Sequence, residues 1–203
     1  MIQMMSMEAQ AVEIDTRDKL LATATEFVQS RGYNAFSYRD LAERVGIRTA
    51  SIHYHFPTKA DLGREMMIRH RRENRDFFER VDQAGGSALD RLQRYCDGFR
   101  KAYGQGSRIC LGGMMATDSE SLPAEVLEEV RGCYEDHENW LARTIRQGQR
   151  DGEVKSTGSP DGVARMLFDA LEGAMLATRA FRTPRRLVVA IDWHLSQITP
   201  ERS

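Results

Sequence analysis

Apolar residues recur every three to four positions along almost the whole chain, and no stretch alternates apolar with polar in the β-branched-rich manner of a strand. The pattern predicts an all-α fold. Leu20, Leu21, Ala24, Phe27 and Val28 form the first stripe, on a helix expected from about Thr16 to Gly32, a residue suited to a left-handed cap. Ser37 and Asp40 have capping-box spacing and open a short second helix that buries Leu41, Ala42 and Val45 until Gly46 breaks it. A third helix runs from about Thr49 to His55, and Pro57 ends it. Thr58 and Asp61 repeat the cap spacing and start a long helix carrying Leu62, Met66, Phe77, Phe78 and Val81 toward Gly85 and Gly86. Further helices are predicted over about 87–103, 108–119, 124–151, 160–182 and 185–198, punctuated by Gly104 and Gly106, Pro123, Gly152 with Gly158, and Pro184.

The three short N-terminal helices have internal spacing that can be tested. Ala42, Gly46 and Ile52 supply a small residue where two helices cross, a turn glycine and an apolar plug, which makes 37–56 a helix-turn-helix unit. Such a unit also occurs as plain packing, so the outward residues matter more. With Ile52 facing the core, Arg48, Thr49, Ser51, His53, Tyr54 and His55 occupy the outer face and ends of the third helix. These side chains suit base edges and phosphates, and small Ala50 lets the backbone approach a groove floor. Ser37, Tyr38 and Lys59 begin the flanking helices, where backbone N–H groups and a cation can meet phosphates. The head is expected over 14–74 and the body over 75–203, joined within the rigid fourth helix.

Charge sharpens the division. Residues 16–75 hold 12 Lys and Arg against 7 Asp and Glu, whereas 76–203 hold 17 against 20. A basic head on an acidic body fits a polyanion-binding module with a regulatory partner domain. The three cysteines, Cys96, Cys110 and Cys133, have neither disulfide-framework nor zinc spacing, so reduced thiols, no metal and no cofactor are expected. No Gly-rich phosphate loop, HExxH or GxSxG occurs, which argues against an enzyme. No long apolar run and no basic-then-apolar leader occur at the start, so no membrane association and a cytoplasmic location are expected.

The segment SYRDLAERVGIRTASIHYHFPTKADL resembles the signature of the TetR family of bacterial transcriptional regulators, and the likeness runs from about Thr16 to Leu62. The resemblance implies a recognition helix with Arg48, Thr49, Ser51, Tyr54 and His55 and a phosphate clamp at Lys59. His53 stands where the family often has Leu or Val. It implies a repressor that binds a palindromic operator in double-stranded DNA as a homodimer and is released by a small-molecule effector. Dimerisation would use the last two helices. There Val163, Ala164, Leu167, Leu171, Ala174, Met175 and Thr178, with Leu187, Val188, Ile191, Trp193 and Leu195, form stripes that could supply half of a four-helix interface or merely close the monomer core.

Pocket candidates are Tyr95, Cys96, Phe99, Tyr103, Cys110, Met114, Met115, Trp140, Met166, Phe168 and Glu172, which mix apolar surface with a few polar handles. Cys110 sits in a Gly-Cys-Leu-like loop found in some family members that sense electrophiles or oxidants, and Arg108 beside it is positioned to lower its thiol pKa. Cysteine-based sensing is therefore the alternative to a bound effector, and a helical protein-interaction adaptor is the distant rival.

Overall fold

The computed structural model describes residues 2–103, 108–155 and 158–201, with the backbone alone for 2–14. The described elements are helices, in the order α1 (Ile2–Arg31), α2 (Tyr38–Val45), α3 (Thr49–His55), α4 (Lys59–Gln83), α5 (Ala88–Tyr103), α6 (Leu111–Ala116), α7 (Ala124–Arg150), α8 (Pro160–Phe181) and α9 (Arg185–Ile198). Helix α1 starts far upstream of Thr16. The stretch from Ile2 to Asp15 contains no Gly or Pro and is rich in Met, Ala, Glu and Gln, so propensity extends the helix where the apolar stripe is lacking. Helix α6 is shorter than expected and is followed by a 3-10 turn, Ser119–Ser121. The break expected at Gly104 and Gly106 lies outside the described residues.

Both expected capping boxes form. The Ser37 hydroxyl accepts from the Asp40 N–H while Ser37 N–H donates to the Asp40 carboxylate, and Thr58 and Asp61 repeat the arrangement at the start of α4. Gly46 ends α2 at φ 79°, a left-handed conformation that side-chain-bearing residues adopt only with strain, and its N–H donates to the Ala42 carbonyl. That turn sets the angle between α2 and α3. Leu20, Leu41, Ile52 and Leu62, one from each of the first four helices, are fully buried together in the head core.

In the body, α7 is central and packs against α4, α8 and α5, while α9 covers α8 and α5. Arg71 of α4 reaches α7 with Nε 2.8 Å from Asp136 and Nη1 2.7 Å from Glu129, a partly buried clamp whose bonds raise the guanidinium pKa further. Gly148 permits a close approach: a Cβ there would sit 2.6 Å from the Ala88 Cβ and 2.5 Å from Val154 Cγ2. Among the described residues no helix is long and apolar enough to cross a membrane.

The two parts also meet away from α4. The Tyr33 N–H donates to Asp118 Oδ2 at 2.9 Å, Asn34 Nδ2 donates to Ser121 Oγ at 2.7 Å, and Arg179 of α8 donates to the Gln29 and Ser30 carbonyls. The end of α1 and the turn after it are thus tied to α8 and to the segment that follows α6.

The α8 and α9 stripes divide differently from the first of the two expectations. Ala164, Leu167, Leu171, Met175 and Thr178, with Leu187, Ile191 and Leu195, are buried within one protomer and close its core. Met166, Leu176, Phe181, Val189 and Trp193 form a second, exposed apolar set on the same two helices. Periodicity marks an apolar face but does not say which neighbour it meets.

Candidate functional site

Helix α3 presents its outer face to solvent. Arg48, in extended conformation just before it, makes no capping hydrogen bond and is exposed with Thr49 and Ala50. Ser51 and His55 are half-buried, and Tyr54 is 72% exposed with its ring edge against His55. His53, also exposed, is partly committed: its ring packs 4.9 Å from Tyr38, and Nδ1 lies 3.0 Å from the Pro57 carbonyl oxygen. Arg39 and Arg44 on α2, like Arg48, have no acidic partner among the described residues, whereas Arg71, Arg75, Arg100, Arg143, Arg146 and Arg165 in α4 and the body are ion-paired. The sequence showed the charge excess but did not single out Arg39 and Arg44. Their exposure on the same surface as α3, without acidic partners, marks them.

The side chains of three residues expected near phosphates make internal hydrogen bonds, while the Tyr38 backbone N–H, the group expected to meet a phosphate, is not part of them. The Tyr38 hydroxyl donates toward the carbonyls of Phe56 and Thr58, tying α2 to the link between α3 and α4, and burial pushes its pKa up. The Ser37 hydroxyl donates to Asp40 at 2.6 Å, a bond that helps hold that carboxyl below the usual range. Lys59 folds inward: its ammonium donates to the Phe36 carbonyl at 2.5 Å and lies 4.3 Å from the Phe36 ring centroid and 4.7 Å from that of Tyr33, with its pKa lowered by burial. Lys59→Ala is therefore expected to destabilise the protein by about 1–3 kcal/mol, through a lost charge-assisted hydrogen bond and two cation–π contacts. Thermal unfolding checks this. An unchanged Tm with a flatter salt dependence of DNA binding would return the residue to phosphate clamping.

In the body a cleft of about 590 Å³ lies between α4, α5, α7 and the residue before α6, lined by Asn74, Phe77, Arg80, Gly98, Phe99, Lys101, Ala102, Tyr103, Cys110 and His137. Of the expected pocket residues it gathers Phe99, Tyr103 and Cys110. Tyr95, Trp140 and Phe168 pack behind it as core: Tyr95 stacks on Trp140 at 5.3 Å, and Phe168 stacks on His137 at 4.5 Å. Cys96 is buried, with Arg100 and Asp192 as charged neighbours, which sets it toward α9. Met115 is fully buried in the core. Met114 touches Arg179 at the joint with the head, and Met166 is 64% exposed on the outside, flanking a groove beside Trp193. The Trp140 indole N–H donates to Asp82 at 3.1 Å.

His137 was missed. It interrupts the apolar stripe of α7 between Cys133 and Trp140, a signal visible as a lone imidazole on a core face. The Tyr95 hydroxyl lies 2.8 Å from His137 Nδ1, and His137 Nε2 is buried without a partner. Burial pulls the imidazole pKa down to about 3, so the ring is neutral. Glu172 is also buried, with the Cys110 thiol as the polar neighbour of its carboxyl and no ion-pair partner among the described residues. Burial raises its pKa to about 7.

The expected activation of Cys110 by Arg108 does not occur. Arg108 turns to Glu26 at 3.2 Å, Cys110 is 2% exposed, and burial, reinforced by the nearby Glu172 carboxyl, pushes the thiol well above its ordinary range. A buried, protonated thiol is a poor nucleophile.

The sequence model for bacterial regulatory proteins of the tetR family matches residues 20–66, and that for the tetracyclin repressor-like C-terminal domain matches residues 88–193. The chain belongs to the TetR family. This TetR-family chain is 24% identical over 175 residues to the HTH-type transcriptional repressor DhaR of Mycobacterium sp. strain GP1, covering 82% of this chain and 83% of that protein. It is 24% identical over 178 residues to the HTH-type transcriptional repressor NemR of Escherichia coli K12, covering 84% and 87%. A TetR-family regulator structure from Agrobacterium tumefaciens superposes with a TM-score of 0.89 at 28% identity, covering 93% of this chain and 100% of that one. The protein is a DNA-binding transcriptional regulator and not an enzyme.

Proposed function

We propose that this TetR-family repressor reads a palindromic operator by laying α3 of each protomer in the major groove, with Arg48, Thr49 and Tyr54 at base edges and Arg39 and Arg44 near phosphates. The carrying observation is the exposed α2–α3 surface of a matched helix-turn-helix, on which Arg39, Arg44 and Arg48 stand together with no acidic partner among the described residues. A half-site spacing of about 34–36 Å follows from two-fold geometry on B-form DNA. The protomers pair through the exposed apolar set on α8 and α9, so that Trp193 and Val189 meet their symmetry mates. The head is taken as 14–74 and the body as 75–203, and a cytoplasmic location follows from access to DNA.

The body cleft holds a small effector, and α6 carries its signal. Cys110, on the cleft wall, immediately precedes α6, and Asp118, just beyond α6, accepts from the Tyr33 N–H at the end of α1. A ligand that binds better when α6 is displaced would move the head and release the operator. Duplex binding measured against salt tests the whole scheme: a repressor shows a steep slope and prefers one palindrome, an adaptor shows neither. Arg48→Ala is expected to relax preference at one operator position by about 1–3 kcal/mol, while Arg44→Ala weakens all sequences alike and flattens the slope. Identical behaviour of the two variants would contradict the assignment.

A further inference from the structure

We infer that the cleft takes an organic anion: a compound with an apolar ring body whose acidic group meets the cationic rim formed by Arg80 and Lys101. This rests on the effector role proposed above for the same cleft.

Arg80 and Lys101 are exposed and line the cleft, whereas Phe99, Cys110 and His137 are buried, so the two cations form the rim and the others the floor. Neither cation has an acidic partner among the described residues, and no Asp or Glu lines the cleft. The nearest carboxyl, Glu172, is buried behind Cys110, so the charge an entering ligand meets at the rim is positive. The walls are apolar rings. Phe77 lies over Gly98 so closely that a Cβ there would stand 2.5 Å from its Cζ, and Phe99 and Tyr103 continue the surface. A cleft of this size suits a compact organic molecule.

The floor holds one unmet polar group. Among the described residues the Tyr95 hydroxyl has His137 Nδ1 as its hydrogen-bond partner, and a buried phenol keeps its proton and donates it. Nδ1 is then the acceptor, so the proton of the neutral ring sits on Nε2. That N–H is buried and has no partner among the described residues, and the ring that carries it is part of the cleft floor.

Three probes with one body and different heads test the inference: 4-phenylbutyrate, 4-phenylbutan-1-ol and 4-phenylbutylamine, titrated calorimetrically into the full-length protein. The acid is expected to bind at least about tenfold more tightly than the alcohol, with an advantage that shrinks in high salt, and the amine most weakly. Arg80→Ala combined with Lys101→Ala, both exposed positions that leave the core intact, should erase the acid's advantage and leave the alcohol unchanged. Tighter binding of the amine, lost in Glu172→Gln, would overturn the inference in favour of a cationic ligand. Binding of none of the three, or an acid preference that survives the double variant, would also overturn it. Operator affinity is measured separately. Acid binding with the expected rim dependence but unchanged operator affinity supports the ligand class and defeats the effector role. Operator release by the amine instead supports the effector role and defeats the ligand class.

Discussion

Trp193→Asp is expected to turn the protein into a folded monomer whose operator affinity falls at least about a hundredfold, because reading two half-sites needs two linked heads. Trp193 is 57% exposed in the single chain, with Val189 at 54% one turn earlier and Met166 at 64% across the groove on α8. Buried against a second copy, such side chains supply the aromatic centre typical of a protein interface. An aspartate at that centre would have to be desolvated without a partner, which opposes association strongly. The same aspartate is solvated in the monomer, so the fold survives. Leu187, Ile191 and Leu195, which hold α9 to its own protomer, face the opposite way and are untouched. Sedimentation should show half the mass, with unchanged helix content, and the variant should still bind a single half-site weakly. A variant that stays dimeric would place the interface elsewhere.

The second large effect concerns pH. Burial raises the Glu172 pKa from 4.5 to about 7, so the folded protein holds this proton more tightly than the unfolded chain does. Between these values the folded state carries more protons, and stability falls as pH rises, by about 3 kcal/mol in all, with the penalty complete above pH 7. Two histidines act oppositely. Burial lowers His70 from 6.5 to about 4 and His137 to about 3, so the unfolded chain binds protons first and stability is lost as pH falls below 6.5. Glu172→Gln removes the first effect alone. Its stability relative to the parent should be flat below pH 4.5 and grow by about 3 kcal/mol up to pH 7, then stay constant. Denaturant titrations at pH 5 and pH 8 check this through the change in the difference, which is insensitive to any fixed cost of burying an amide. Parallel pH profiles would mean that the carboxyl is hydrated or paired in solution.

The head was largely legible in advance because its signals are local. Capping boxes at Ser37 and Thr58, the turn at Gly46 and the plug at Ile52 depend on spacing within a few residues, and each is found where the spacing put it. The internal hydrogen bonds of the Tyr38 and Lys59 side chains were not legible. Their polar atoms find backbone carbonyls 18 to 23 residues away, and exposure cannot be inferred from polarity when a distant acceptor lies within reach. In the body, residues chosen for chemical type divided among cleft, packed core, outer surface and joint, since one helix has several faces and the pattern does not say what each meets.

The sequence by itself determined the all-α class, most helix boundaries, the helix-turn-helix and the family, all of which rest on periodicity, caps and a contiguous motif. Tertiary structure alone decided which arginines lack a counter-charge, which apolar stripe closes the protomer and which stays exposed, and that the buried His137 ring lies in the floor of a cleft rimmed by Arg80 and Lys101. Those properties depend on distances between residues far apart in the chain. Burial and charge pairing come into being only when the helices pack.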